Sequence, residues 1–499
     1  MSEQKSSDAP LMLSVSGLRG IVGESLTPEV AARYAGAFGA WLNEQVGGAG
    51  HVVIGRDGRL GGEAMHHAAI GGLLGAGCVV TDLGIASTPT VGASASVVDG
   101  GMIVTASHNP AEWNGLKCLV TQEMGEGGAD GEQDGSGAGF GLARAPFANE
   151  AEAYIAAFRE RTPVRAEPPA VGSSYRVEQQ ASGAHWTAML GLYGELLMGA
   201  EGGSGEVRPL RIVLDAVNAS GSLAAVPMLD AVGEVVQLYC SGSGVFPHTP
   251  EPTAANLGGL CDAVKGLKAD IGFAVDPDAD RLAIVDEHGA YIGEELTLAL
   301  SAMSLLMAIG EQDDGGEPLV LCTNLSTSRL IEDVADRFGA RVVRTAVGEA
   351  NVVQGMMETG AVLGGEGNGG VIWPELSFVR DSLAGMVLVL ALLQRTGKRV
   401  SELVAELPSY AIVKRKVELA ERSLADAAAE KVAEAYKGRG TIDRQDGVRV
   451  DISDYEKSGQ AAWLHVRASN TEPIMRLIAE AGSAELAERL LDEAAGVIG

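Results

Sequence analysis

Three times along this chain the same order recurs: apolar run, helical stretch, second apolar run, further crossover, then a third apolar run that stops in a turn of small polar residues. The first round runs from His51–Ile54 through a helix from about Glu63, Cys78–Val80 and a helix opened by Thr88 and Pro89. It ends in the strand before Thr105-Ala106-Ser107-His108-Asn109-Pro110. The second uses Arg211–Leu214, Glu234–Tyr239 and Ile271–Val275, and ends in Asp276-Pro277-Asp278-Ala279-Asp280-Arg281. The third uses Leu319–Cys322, a helix over Ser328–Phe338, Arg341–Arg344 and Val362–Leu363, and ends in Gly364-Gly365-Glu366-Gly367-Asn368-Gly369-Gly370. Parallel strands need long crossovers, so this order predicts helix-covered parallel sheets. Open α/β sheets place ligands at the carboxyl ends of their strands, and that is where all three polar turns fall.

The flanking segments complete the expected fold. Leu11–Gly23 reads as a short strand and then a glycine-hinged loop presenting Arg19. Thr27 is the expected cap of a helix reaching Trp41, with Pro28 at its first position, and Ser182 the cap of a helix to Leu197. Beyond Lys414 the order changes to alternating strands and two helices. There Trp463–Arg467 and Ile474–Ile478 flank Ala468-Ser469-Asn470-Thr471-Glu472-Pro473 as a hairpin. Gly125–Gly141, rich in Gly, Asp and Ser, reads as a mobile surface insertion. The expected fold class is α/β: three similar α/β domains in series (1–181, 182–310, 311–413) with mixed, mainly parallel sheets, plus a smaller C-terminal α+β domain (414–499).

A formal net charge of -29 excludes a general nucleic-acid binder, because no broad surface can neutralise a phosphate backbone. A small anion needs local arginines, since two unit charges about 4 Å apart interact by roughly 4 kcal/mol at an effective dielectric near 20. Five scattered cysteines without a C-x-x-C pair read as reduced thiols. The polar start, Met1–Pro10, has no apolar core of a signal peptide, and the apolar run Met386–Leu393 is too short to span a bilayer. The expected location is cytoplasmic, with no membrane partner.

The turns carry the chemistry. Ser107 stands at a sheet end, either as a hydroxyl that takes and gives a group or as a turn residue capping its own backbone. Asp276, Asp278 and Asp280 alternate past a buried strand and can converge on a hard cation such as Mg2+. An EF-hand is excluded by Arg281 where that loop needs glycine and by the strand-like Leu282–Val285 that follows. Glu366 among glycines can accept hydrogen bonds from sugar hydroxyls. Arg467, Ser469, Asn470 and Thr471, with Arg476 nearby, suit a phosphate. Lys117, close after the serine turn, is either a proton carrier or a counter-charge to the carboxylates.

Together, Thr105–Pro110, Asp276–Arg281, Gly365–Gly369 and Arg467–Pro473 resemble, in order and position, the α-D-phosphohexomutase superfamily, and the resemblance runs nearly end to end. It implies that Ser107 carries a phosphoryl group and that Asp276, Asp278 and Asp280 hold Mg2+, with the serine phosphate as a further ligand. It also implies that Glu366 and Asn368 read sugar hydroxyls and that Arg467, Ser469, Asn470, Thr471 and Arg476 grip the substrate's other phosphate. Arg19, His108, Lys117 and Arg281 match family positions near the moving phosphate, with Lys117 in proton transfer. A hexose 1,6-bisphosphate is the implied intermediate and activator.

Many bacterial members read Glu-x-Ser-Gly-His where this chain has Glu366-Gly367-Asn368-Gly369-Gly370, and Thr345–Glu349 lacks the basic residue often found there. Both features are similar to archaeal-type members called phosphoglucosamine mutases. The expected substrate is therefore glucosamine 6-phosphate and 1-phosphate, with mannose or glucose phosphates as the alternative. Outside this class stand a haloacid-dehalogenase-like phosphatase with Asp276 as nucleophile and a catalytically silent sugar-phosphate binder. A monomer or homodimer is expected.

Overall fold

The computed structural model describes residues 10–123, 141–161, 171–177, 180–198, 208–310, 317–419, 421–457, 459, 461–468 and 474–498. The N-terminal tail, the insertion up to residue 140 and the turn holding Ser469, Asn470 and Thr471 lie outside them. Two compact units result: residues 1–316 with 362–404, and residues 317–361 with 405–499.

The first unit contains an eight-stranded mixed sheet. His51–Arg56 lies at its centre, parallel to both Val79–Ile85 and Gly100–Val104. Trp113–Glu123 then runs antiparallel to Gly100–Val104, so the chain reverses at the serine turn. The helices Pro28–Val46 and Gly62–Gly75 cross closely at Gly72, where a β-carbon would stand 2.1 Å from the Ala32 carbonyl oxygen. Beneath them Tyr34, Phe38, Leu73, Ile54 and Val104 form one fully buried core.

A second sheet orders Gly233–Leu238, Leu210–Asp215, Ile271–Val275 and Leu282–Val285, the first three parallel and the last antiparallel. The acidic turn joins its last two strands. In the 362–404 segment, Leu363–Glu366 and Gly370–Ile372 pair antiparallel. The helix Ser382–Thr396 follows, capped by the Asp381 carboxylate, which accepts from the backbone N–H of Leu383 at 2.8 Å. It is buried from Ser382 to Leu393, which accounts for the apolar run: a helix apolar all round belongs inside a large protein as readily as in a membrane. Among the described residues no helix is long and apolar enough to cross a membrane.

The second unit has the parallel pair Val320–Asn324 and Arg341–Thr345. It also has a five-stranded antiparallel sheet covered by the helices Ala425–Ala435 and Ala484–Ile498. The expected hairpin is there: Ala462–Ala468 pairs with Ile474–Ala481, setting Arg467 opposite Arg476. All five cysteines are free; Cys78, Cys118 and Cys322 are buried, while Cys240 and Cys261 are half-buried.

Three local expectations need correction. Arg19 is on a strand, Gly17–Ile21, because that segment pairs on both sides, with Met12–Ser14 and with Trp113–Glu123. Gly17 allows the tight entry: its φ of +110° favours glycine, and a β-carbon would stand 2.2 Å from the Leu116 oxygen. Ser87, one residue before Thr88, caps the helix Thr88–Ala95 by accepting from Thr90 N–H at 3.2 Å. Ser182 lies inside its helix, Gln180–Met198. Thr27 is the cap expected, accepting from Val30 N–H, and its helix continues to Val46.

One ion pair in the second sheet carries a pH signature. His248 Nε2 is 2.9 Å from the Asp215 carboxylate and Nδ1 is 2.8 Å from the Thr249 carbonyl oxygen, so both ring nitrogens face acceptors. The hydrogen bond to Asp215 raises the imidazole above its ordinary 6.5, against the opposing effect of burial. A raised folded-state value means stability that is full below pH 6.5 and lost as pH rises through that value. His248→Gln should therefore lower stability by about 1 kcal/mol in acid and by progressively less in alkali. Thermal midpoints of both proteins across pH check this; a difference constant with pH would contradict it.

Candidate active site

Ser107 follows a fully buried strand and is itself 1% exposed. Its φ of 51° lies in the left-handed region, which costs a non-glycine residue about 1–3 kcal/mol and persists only where its surroundings hold it there. They do so through a network that sequence reading did not assign. The Thr105 hydroxyl accepts from Ser107 N–H at 2.8 Å and donates to Asp57 at 2.7 Å. Arg59, fully buried, donates to Asp57 Oδ2 at 2.7 Å, to the Trp113 carbonyl at 2.7 Å and to the carbonyl of Ser107 itself. One guanidinium thus grips both ends of the serine turn.

The Ser107 hydroxyl donates to Asp276 Oδ2 at 2.6 Å. The first and second sheets therefore present their polar turns to each other within the first unit. Asp276, Asp278 and Asp280 are all buried, with ligand oxygens within 4.8 Å of one another. The turn between them is tight, with Ala279 at a φ of 54°.

Charge around this cluster is finely divided. Burial and the two neighbouring carboxylates hold the Asp276 carboxyl well above its usual range. Burial and Asp280 act on Asp278 the same way, yet the charge and hydrogen bond of Lys117, with the Thr88 hydroxyl, bring it below its ordinary value. Asp280 is also lowered, burial being outweighed by Arg380, Lys117 and Arg281. Lys117 Nζ lies 2.6 Å from Asp278 and 2.9 Å from Asp280, and these two carboxylates overcome burial to raise it. In this arrangement Lys117 is a charged donor. Arg19 donates to Asn109 Oδ1 at 2.8 Å. His108 Nδ1 is 3.4 Å from Ser107 Oγ. Burial, with Arg281 and Arg19 adding, pushes that imidazole down to about 3, so it is neutral at physiological pH.

Glu366 ends its strand, 6% exposed, and Asn368 is 3.4 Å from its carboxylate. Arg380 bridges this group to the acidic turn, donating to Glu366 Oε2 at 3.0 Å and to Asp280 Oδ2 at 2.7 Å. Of the residues singled out from the sequence, Ser107, His108, Lys117, Arg19, Arg281, the three aspartates, Glu366 and Asn368 thus belong to the first unit. Arg467 and Arg476 belong to the second, where Arg467 pairs with Asp446 at 3.2 Å.

The residues overlooked were Asp57, Arg59, Thr88 and Arg380. Gly55-Arg56-Asp57-Gly58-Arg59, a charged turn at the end of a buried strand, was a usable signal for the first two; nothing local marks Thr88 or Arg380.

The triad fits a hard divalent cation. All its donors are oxygens, and one oxygen each of Asp278 and Asp280 is buried without a hydrogen-bond partner, which is costly unless a cation meets it. Asp276, Asp278 and Asp280 could hold such a cation, and Mg2+ is an ordinary choice for an all-oxygen set.

Sequence comparison identifies the family. The chain matches four profiles described as phosphoglucomutase/phosphomannomutase: α/β/α domain I over residues 12–127, domain II over 202–289, domain III over 296–410 and the C-terminal domain over 413–497. A "Phosphoglucomutase/phosphomannomutase" of Thermococcus kodakarensis is 36% identical, aligned over 95% of this chain and 96% of its own. A "Probable phosphoglucosamine mutase" of Methanopyrus kandleri is 34% identical over 97% and 96%. The crystal structure of a phosphoglucomutase/phosphomannomutase family protein from Burkholderia thailandensis superposes with a TM-score of 0.77 at 26% identity, covering 98% of each chain. With four matching domain profiles and identities above 30% across nearly the whole length, this chain belongs to the phosphoglucomutase/phosphomannomutase family.

Proposed function

We propose that this protein interconverts a hexose 6-phosphate and a hexose 1-phosphate through a phosphoserine at Ser107, with glucosamine phosphate as the preferred sugar. The observation that carries the reading is the Ser107 hydroxyl, held in a strained turn 2.6 Å from a buried cluster of three carboxylates. A serine so placed has cation ligands and arginines on one side and a sugar-binding carboxylate within the same unit.

In the forward half-reaction the phosphorus–oxygen bond at Ser107 Oγ breaks while a new one forms to the free hydroxyl of the sugar, whose proton ends on Ser107 Oγ. The product is a bound hexose 1,6-bisphosphate. After this turns over, its opposite phosphoryl group passes to Ser107, the hydroxyl proton passes to the sugar oxygen released, and the phosphoserine is restored. When bound, Mg2+ supplies Lewis-acid stabilisation of the transferring phosphoryl group. Arg19, Arg281 and Lys117 add fixed positive charge beside it, which is how phosphoryl transfer is mostly catalysed. Glu366 and Asn368 orient the sugar. In the second unit, Arg467 and Arg476, with Ser469, Asn470 and Thr471, are the residues suited to a phosphate.

The sugar is decided by a panel of glucosamine, glucose and mannose 6-phosphates compared by kcat/KM. Preference for glucosamine 6-phosphate is expected; preference for glucose or mannose would replace that choice, and the name of the Thermococcus kodakarensis relative favours this second reading.

The cation assignment has its own test. Asp280→Asn should weaken Mg2+ binding, read by calorimetry on the protein without substrate, by about 10-fold or more. Unchanged affinity would remove Asp280 from the ligand set.

A further inference from the structure

We propose that Arg380 is a positioning residue that locks the sugar-binding carboxylate to the cation-binding turn, and that residue 370 is glycine to leave room for it. The inference rests on the reading of this site given above. Two nitrogens of one guanidinium divide between two jobs: one donates to Glu366 Oε2 at 3.0 Å, the other to Asp280 Oδ2 at 2.7 Å. Glu366 and Asp280 are 6% and 1% exposed, so both contacts lie in a low-dielectric interior where such hydrogen bonds hold geometry firmly.

The stem of Arg380 is what makes residue 370 special. A β-carbon at Gly370 would stand 2.3 Å from Arg380 Cδ and 3.1 Å from its Cγ. The backbone offers no competing reason for glycine there. Gly369 has a φ of +83°, whereas Gly370 is not among the positive-φ glycines. Gly370 is therefore a glycine of space, and the space is filled chiefly by Arg380, with Asn368 Oδ1 at 3.0 Å as the second neighbour.

Arg380 is anchored from behind. The next residue, Asp381, caps the buried helix, donates its N–H to the Val371 carbonyl at 2.7 Å and faces His185 Nε2 at 2.9 Å. On the opposite side Leu282 N–H donates to the Gly369 carbonyl at 2.9 Å, tying the sugar turn to the strand that leaves the acidic turn. A guanidinium rooted this firmly transmits a displacement of the acidic turn to Glu366 and the reverse. A lysine, as a single point charge, cannot serve both partners in a fixed fork.

The test is a double-mutant cycle on Gly370→Ala and Arg380→Ala, read as kcat/KM for each of the three hexose phosphates and as the thermal midpoint. In the native background Gly370→Ala should lower kcat/KM by about 10-fold, mainly through KM, and shift the ratio among sugars; in the Arg380→Ala background it should change either quantity by less than about 2-fold. Arg380→Lys should lose sugar discrimination although it keeps the charge. Equal losses from Gly370→Ala in both backgrounds, or none in the native one, overturn the proposal. If a variant is too unstable to assay, the same non-additivity must appear in the midpoints, and additive midpoints overturn it equally. Native protein that turns over none of the three sugars would defeat the functional reading, whereas active native protein with an additive cycle defeats only this coupling.

Discussion

Ser107→Ala is expected to lower mutase activity by at least about 10^4-fold while leaving the fold in place. The substitution removes only the hydroxyl that donates to Asp276, and the backbone there keeps its φ of 51°. Alanine tolerates that region in this protein already, since Ala279 holds a φ of 54° in the facing turn. The three carboxylates and Lys117 stay where they are, so Mg2+ binding measured by calorimetry should persist. Intact mass after incubation with a hexose 1,6-bisphosphate should show an added phosphoryl group on the native protein and none on the variant. Retained phosphorylation of the variant would transfer the nucleophile to Asp276 and turn the reading towards a phosphatase. No phosphorylation of either protein would favour a silent sugar-phosphate binder.

Arg59→Met has the largest expected effect on stability. It removes the charge that faces Asp57 and leaves that carboxylate buried, with both side chains fully inaccessible. Breaking a buried pair from one side costs about 3–5 kcal/mol. The same change frees the carbonyls of Ser107 and Trp113, so the serine turn loses the donor that holds its left-handed residue. Chemical denaturation should register the loss, and Ser107 phosphorylation should slow in whatever variant protein stays folded. Adding Asp57→Asn should recover part of the stability, because the stranded charge is gone, but not the rate. Recovery of both would make the pair a stability device with no part in placing the serine.

How far these residues can be found without coordinates depends on the range over which each acts. The strands before Ser107, Asp276 and Glu366 are legible because a buried strand is a local run of apolar residues and its end is marked by Gly, Pro or Asp. The acidic triad is legible for the same reason, three carboxylates within five consecutive positions. Where a boundary depends on a partner, local reading slips. Arg19 falls on a strand because Trp113–Glu123 pairs with it, and the capping role moves to Ser87 while Thr88 turns to Asp278.

From the order of residues alone came three α/β rounds with a smaller final domain, a hydroxyl turn, an acidic turn and a glycine-glutamate turn at strand ends, and the charge balance that demands local cations. Which cation meets which carboxylate was decided only in three dimensions. Arg59 reaches Ser107 across 48 residues, Lys117 reaches Asp278 across 161 and Arg380 reaches Asp280 across 100. The Coulomb energies and hydrogen bonds that hold these groups fall off over a few ångströms, and separation along a chain carries no record of such distances once strands from different sheets are packed together.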